Sequence, residues 1–238
     1  MKKLLCLVSF LLSACASAPR PSTDNLIAPG FKPPPPGTLI VLLPPSVEAD
    51  DLDAGKPLLL DQLQRQLKAA GYRVAGLDAA NYETIWAQEV EAVGGVYDAK
   101  TGKLQSARFA RARGQLVQRV SSDTKASMVL QPNLVLRQAQ FSGPAARWDG
   151  QQRRVLVSNT YARDYRSDGT TLALSVGLDA YAGSGELVAS TYGGASMLYT
   201  VNIQAAKNEV RGDLFASDKE LGEGVALALT PVLKPSAQ

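Results

Sequence analysis

The sequence predicts one α/β domain, of the α+β kind, in which a mixed β-sheet is packed by helices. Three observations carry that expectation. Thr38 to Leu43 is an unbroken aliphatic and β-branched run ended by Pro44-Pro45, the pattern of a strand buried on both faces. Leu59 or Leu60, Leu63, Leu67 and Ala70 then recur every three to four residues, while Asp61, Gln62, Arg65 and Lys68 face away, as on an amphipathic helix. Further on, Leu172, Leu174, Val176, Leu178 and Ala180 alternate with Thr171, Ala173, Ser175, Gly177 and Asp179, which is strand periodicity with two distinct faces.

The elements follow in order. An acidic loop with Glu48, Asp50, Asp51 and Asp53 leads to Pro57, whose fixed φ suits a first helical turn, and Gly71 is placed to end that helix. Tyr72 to Leu77 is a second strand. Asp78 can cap a second helix carrying Tyr82, Ile85, Trp86, Val90 and Val93, stopped by Gly94-Gly95. A loop from Val96 to Gln105 turns at Asp98 and Gly102. The third helix sets Phe109, Leu116, Val117 and Val120 on one side and Arg108, Arg111 and Arg119 elsewhere. Met128 to Phe141 is strand-like, with Pro132 predicting a sheet edge or a bulge because proline cannot donate to a ladder. Gly183-Ser184-Gly185 turns the alternating strand back into Glu186 to Tyr192 as a hairpin. Ser217 with Glu220 reads as a capping box opening a last helix, with Leu221, Val225, Ala228 and Leu229 as its stripe and Pro231 near its end.

Ahead of the domain lie two segments of different character. Lys2 and Lys3, the apolar run Leu4 to Leu12 and the small residues Ser13 and Ala14 form a secretory signal, far shorter than the roughly 20 residues a membrane-spanning helix needs. Leu12-Ser13-Ala14-Cys15 resembles the bacterial lipobox, which implies cleavage before Cys15, acylation of that cysteine and anchoring by several acyl chains. Ala16 is not the aspartate that retains such proteins at the inner membrane, so the resemblance implies the outer membrane, with the domain in the periplasm. From Ala16 to Gly37 prolines are frequent, and Pro33 to Pro36 favour polyproline II, so the stretch reads as a stiff tether able to hold the domain a few tens of Å from the bilayer, at about 3.1 Å per residue. The organisation expected is thus a signal at 1–14, lipidated Cys15 and tether at 15–37, and the domain at 38–238.

The lipidated cysteine, the tether, the strand Thr38-Leu39-Ile40-Val41-Leu42-Leu43, the helix closing on Gly71-Tyr72 and the hairpin around Asp179-Ala180-Tyr181-Ala182-Gly183-Ser184-Gly185-Glu186 together resemble periplasmic lipoproteins related to the curli secretion-channel lipoprotein and the TolB N-terminal domain. That resemblance implies a protein that assembles, scaffolds or exports, and not an enzyme. Two long hairpins with strands of about ten residues and a lipid-facing alternation are not seen in the sequence, so pore formation is not expected.

Composition narrows the chemistry. The chain has 238 residues, 45% of them hydrophobic, no histidine, and only two cysteines, Cys6 and Cys15, both ahead of the domain. Histidine-based triads and metal sites are excluded, and the folded body has no thiol. Losing Lys2 and Lys3 takes the basic count from 25 to 23 against 22 acidic residues, which gives no basis for nucleic-acid binding. Ser122-Asp123-Thr124-Lys125 and Lys100-Thr101-Gly102 match two short motifs of penicillin-recognising enzymes, but in the wrong order. Gly102-Lys103 lacks the rest of a phosphate loop. The carboxylates at 48, 50, 51 and 53 do not have the spacing of a calcium loop and read as a solvated acidic turn.

No catalytic residue, metal or cofactor is therefore assigned. Arg147, Trp148, Arg153, Arg154, Tyr161, Arg163, Tyr165 and Arg166 concentrate cations and aromatic faces in twenty residues, the mixture that serves protein, sugar or phosphate recognition, and are the candidate partner-binding set. The expected role is a non-enzymatic outer-membrane lipoprotein that binds or assembles cell-envelope components, its partner an envelope protein or a second copy of itself. The alternatives are a hydrolase or transferase working with carboxylates alone, or a carrier of a small ligand. Cys15→Ser is expected to move the protein from the membrane pellet to the soluble periplasmic fraction; a variant that stays in the pellet through a high-salt wash contradicts the lipid anchor.

Overall fold

The structure, a computed structural model, describes residues 22–157, 168–202 and 207–234. Its first element is the short strand β1 (Leu26–Ile27), followed by β2 (Leu39–Leu42) and β3 (Ser46–Val47). A 3-10 turn at Asp50–Gly55 leads into helix α1 (Lys56–Ala69), strand β4 (Arg73–Gly76) and helices α2 (Ala79–Ala92) and α3 (Ser106–Thr124). The long strand β5 (Met128–Ser142) comes next, then the small strands β6 (Ala145–Trp148), β7 (Gln151–Arg154) and β8 (Leu156–Val157). Strands β9 (Asp168–Ala182) and β10 (Leu187–Met197), then β11 (Tyr199–Asn202), β12 (Lys207–Val210) and helix α4 (Asp218–Leu233) complete the order.

The main sheet runs β1-β10-β9-β5-β2-β4 and is mixed, so the expected α/β class with a mixed sheet packed by helices holds. β2 is parallel to both β4 and β5, while β5, β9, β10 and β1 are successively antiparallel. β2 therefore has a partner on each side, one strand in from the β4 edge, and Ile40, Val41, Leu42 and Leu43 are all buried. β8, β11 and β12 form a separate small sheet.

Each face of the main sheet has its own core. On one face Ile40, Leu42, Met128, Leu130, Leu134, Val176 and Leu178 pack against Leu59, Leu63 and Leu67 of α1 and Leu221, Val225, Ala228 and Leu229 of α4. On the other, Val41, Leu43, Val129 and Tyr181 pack under Leu116, Val117 and Val120 of α3. The α1 stripe is buried through Leu59, with Leu60 only partly so. α1 ends as expected at Gly71, whose φ of 89° lets Gly71 N–H reach Lys68 O and Tyr72 N–H reach Leu67 O. α2 is capped by Asp78, which accepts from Asn81 N–H at 2.9 Å, yet none of its side chains is fully buried. It lies on α3 through Trp86 against Phe109.

Two expectations are corrected and a third is half met. Pro132 is not at a sheet edge, since β5 pairs with β9 there opposite Leu178, but the expected irregularity is present on its other side, where the four steps from Leu42 to Ser46 stand against three from Leu130 to Asn133. Its side of β5 faces the gap between β2 and β3, because Leu130 and Leu134, two residues either way, accept there from Leu43 N–H and Glu48 N–H. At the proline itself the neighbouring chain is Pro44-Pro45, so no ladder bond is lost. The capping box at Ser217 is only half formed: Ser217 Oγ accepts from Lys219 N–H, while Glu220 is drawn to Arg211 at 3.2 Å. The hairpin strands are also longer than the sequence reading allowed, 15 residues in β9 and 11 in β10.

The stretch read as a spacer also behaves differently where it is described. β1 pairs antiparallel with β10, Ala28 N–H bonds Val188 O, and Ile27, Ala28 and Phe31 pack on the α1–α4 core. Tyr72 OH donates to Pro34 O, and Gly37 N–H to Gly71 O. Residues 22–37 thus lie along the domain from β10 to the end of α1. Because Leu63 and Leu67 are wholly enclosed, Leu63→Ala or Leu67→Ala should each cost about 2–5 kcal/mol in urea unfolding. A double variant with an unchanged midpoint would show that this stripe is not core.

Candidate functional site

β6 and β7 form a ribbon joined by Asp149-Gly150, with Trp148 opposite Gln151. Both turn residues have positive φ, 38° and 80°, the backbone of a tight hairpin turn that favours Asp-Gly. That dipeptide is a sequence signal for the ribbon, although the sequence reading assigns no strand between Phe141 and Thr171. Pairing sets Arg147 with Gln152 and Ala145 with Arg154 on one face of the ribbon, and Ala146 with Arg153 and Trp148 with Gln151 on the other.

The two faces have different roles. Trp148 is 6% exposed, donates its indole N–H to Leu174 O and lies over Gly194, where an added Cβ would come within 2.8 Å of its Nε1. Arg153 donates twice to Ala195 O and pairs with Glu223 of α4 at 2.7 Å. These two candidate residues hold the ribbon to β10 and α4. Arg147 and Arg154 are exposed on the outer face, where Arg147 reaches Gln152 Oε1 at 2.7 Å and Arg154 flanks a shallow groove with Pro144, Ala145 and Gln152. Tyr161, Arg163, Tyr165 and Arg166 lie outside the described residues.

Asp149 is the polar hub beneath the ribbon. Its nearly enclosed carboxylate meets Arg137 at 3.0 Å, Ser175 Oγ at 2.8 Å and Ser22 Oγ at 2.6 Å. Arg137 also pairs with Asp24 and lies 4.3 Å over the Tyr192 ring. Hydrogen bonding to Asp149, the larger influence, and to Asp24 raises the Arg137 pKa, so this cation stays charged. Asn25 Oδ1 completes the contact by accepting from Tyr192 N–H.

A second polar cluster ties α2 and α3 to the sheet. Arg113 lies among Tyr82, Trp86 and Phe109 at 4.8–5.7 Å from their ring centres and donates to Tyr82 OH and Gln131 Oε1. Asp179, beside Gln131 in the sheet, accepts from Ser190 Oγ at 2.6 Å. Burial is the main influence that raises its pKa, and Tyr181 is pushed up to about 12, chiefly by burial and then by Asp179.

The short motifs of enzymes fall in separate places. Ser122 to Thr124 end α3, with Lys125 following in the left-handed region at φ 59°. Lys100 to Gly102 form a turn whose Lys100 N–H, Thr101 N–H and Thr101 Oγ1 all donate to Asp98 Oδ1. Glu48 is used to accept from Leu136 N–H, and Asp53 pairs with Lys56. Among the described residues no group of three or more potential metal ligands comes together, and no helix is long and apolar enough to cross a membrane.

No family model and no curated protein matches this chain. Among solved structures it is similar to the PelC dodecamer from Paraburkholderia phytofirmans, with TM-score 0.41 and 12% identity over 89% of this chain and 96% of that one. A substituted PelC dodecamer from the same organism gives TM-score 0.39 and 11% identity, covering 85% and 95%. Lipoprotein GNA1162 from Neisseria meningitidis gives TM-score 0.32 and 15% identity, covering 66% and 81%. At such TM-scores and identities the likenesses carry no function to this chain.

The Asp179 shift has a testable sign. Its folded carboxyl keeps its proton to a higher pH than the unfolded chain does, so this group lowers stability as pH rises through that interval. Asp179→Asn should therefore melt at or above the parent temperature near about pH 7, with the difference gone near about pH 3. A variant that is less stable at neutral pH and equal to the parent in acid would mean that the charged form is favoured in the fold.

Proposed function

We propose that the protein is a non-enzymatic lipoprotein, anchored to the outer membrane through Cys15, whose periplasmic domain binds an envelope component through the segment from Arg147 to Arg166. The observation that carries this reading is the outer face of the β6–β7 ribbon. Arg147 and Arg154 stand exposed there, while Trp148 and Arg153 brace the same ribbon from below, so the two outward guanidinium groups are presented on a rigid support. Three described acidic groups around the ribbon have structural partners: Asp149 and Asp24 hold Arg137, and Glu223 holds Arg153. Those pairings favour a binding role over acid–base work by carboxylates. The resemblance to the curli-channel and TolB-domain lipoproteins points the same way.

The test is Arg147→Ala with Arg154→Ala, which leaves the bracing Arg153 in place. The double variant should keep its melting temperature and lose most of the material that co-purifies with the parent from intact envelopes. Unchanged partners in unchanged amounts would place the binding surface elsewhere.

A further inference from the structure

The described chain begins at Ser22, which is bonded to the turn of the ribbon. Ser22 Oγ donates to Asp149 Oδ1 at 2.6 Å, Asp24 pairs with Arg137, Asn25 holds Tyr192 N–H and β1 pairs with β10. Only six residues lie between Cys15 and Ser22, and the seven residue steps span at most about 25 Å whatever path they take. The prolines at 29–36 add nothing to this reach, because they follow the docking point. An acylated Cys15 therefore keeps the Asp149 turn within about 25 Å of the lipid surface.

The face of the ribbon built around that turn carries Arg147 and Arg154. We propose that this face lies on the anchoring bilayer, with the two guanidinium groups against anionic lipid headgroups. The proposal rests on lipidation of Cys15 and gives the arginine face a partner of stated chemistry, the phosphate of a lipid surface. Charge fits, since Asp149 and Glu223 are already matched by Arg137 and Arg153. Arginine suits the task because its planar fork meets phosphate oxygens two at a time. The β9–β10 turn at Ser184 lies at the far end of β9, ten residues or about 33 Å along the strand from Leu174, which Trp148 touches.

The experiment uses the full acylated protein in vesicles with and without phosphatidylglycerol, carrying a fluorescent label at Gln152→Cys or, as the control, at Ser184→Cys. Quenching by headgroup-labelled lipid should be several-fold stronger at 152 than at 184, and stronger again with the anionic lipid. Arg147→Glu with Arg154→Glu should abolish the difference while the protein still pellets with the vesicles. Equal quenching at the two positions, or a difference that survives charge reversal, overturns the membrane-facing ribbon and leaves the arginines to a protein partner. A parent chain that does not pellet overturns the lipid anchor, and the proposal with it.

Discussion

Strand β10 must be closed on three sides, and the fold is arranged around that constraint. It is apolar and next to the edge of the main sheet, where an open backbone would template pairing with other chains. At Gly193 one face carries α4, so close that an added Cβ would meet Gly224 O at 2.0 Å. At Gly194 the other face carries Trp148 and Gln151 of the ribbon. Two adjacent residues without side chains let a helix and a ribbon approach the same strand from opposite faces. Along the free edge Val188 O, Tyr192 N–H and Gly194 N–H are taken by Ala28, Asn25 and Asp149 O. Ala195 O is taken by Arg153.

Closure of that edge depends on polar groups that meet only in the fold. Asp149 is bonded by a residue ahead of the domain, one on β5 and one on β9, while its own backbone carbonyl caps β10. A buried carboxylate of this kind is stable only with its partners present, and loss of one leaves a charge without compensation. The strap of residues 22–37, the ribbon and the sheet edge therefore stand or fall together. The hydroxyl and carboxylate that tie the strap belong to Ser22 and Asp24, short side chains with no periodicity to announce them.

This divides what the sequence discloses from what it does not. Thr38 to Leu43, the α1 stripe at Leu59, Leu63 and Leu67, the Asp78 cap and the β9–β10 hairpin were legible because each is a local pattern whose period or cap chemistry is fixed by a few neighbouring residues. Pro132 marked an irregularity, but its cause, Pro44-Pro45 across the sheet, lies some ninety residues earlier and was not legible. The strap was read as a spacer because its prolines look extended whether or not Ala28 and Asn25 find a strand to pair with. Of the candidate site, the alternation that turns Trp148 and Arg153 inward and Arg147 and Arg154 outward was not legible, because it needed the Asp149-Gly150 turn to set its phase. Glu220 shows the competition in miniature, since Arg211 from outside the helix takes the carboxylate that a capping box would use.

The central claim is that residues 22–37, ahead of β2, are part of the fold. Native-state amide hydrogen exchange tests it most directly, read at Ala28 and Tyr192 and compared with the core amides of β5 and β9. The account predicts that the Ala28 amide, bonded to Val188 O, and the Tyr192 amide, bonded to Asn25 Oδ1, exchange far more slowly than the same amides in an unfolded chain. Exchange at the unfolded rate at both positions, with β5 and β9 still protected, would mean that the strap is a free tether and would contradict it.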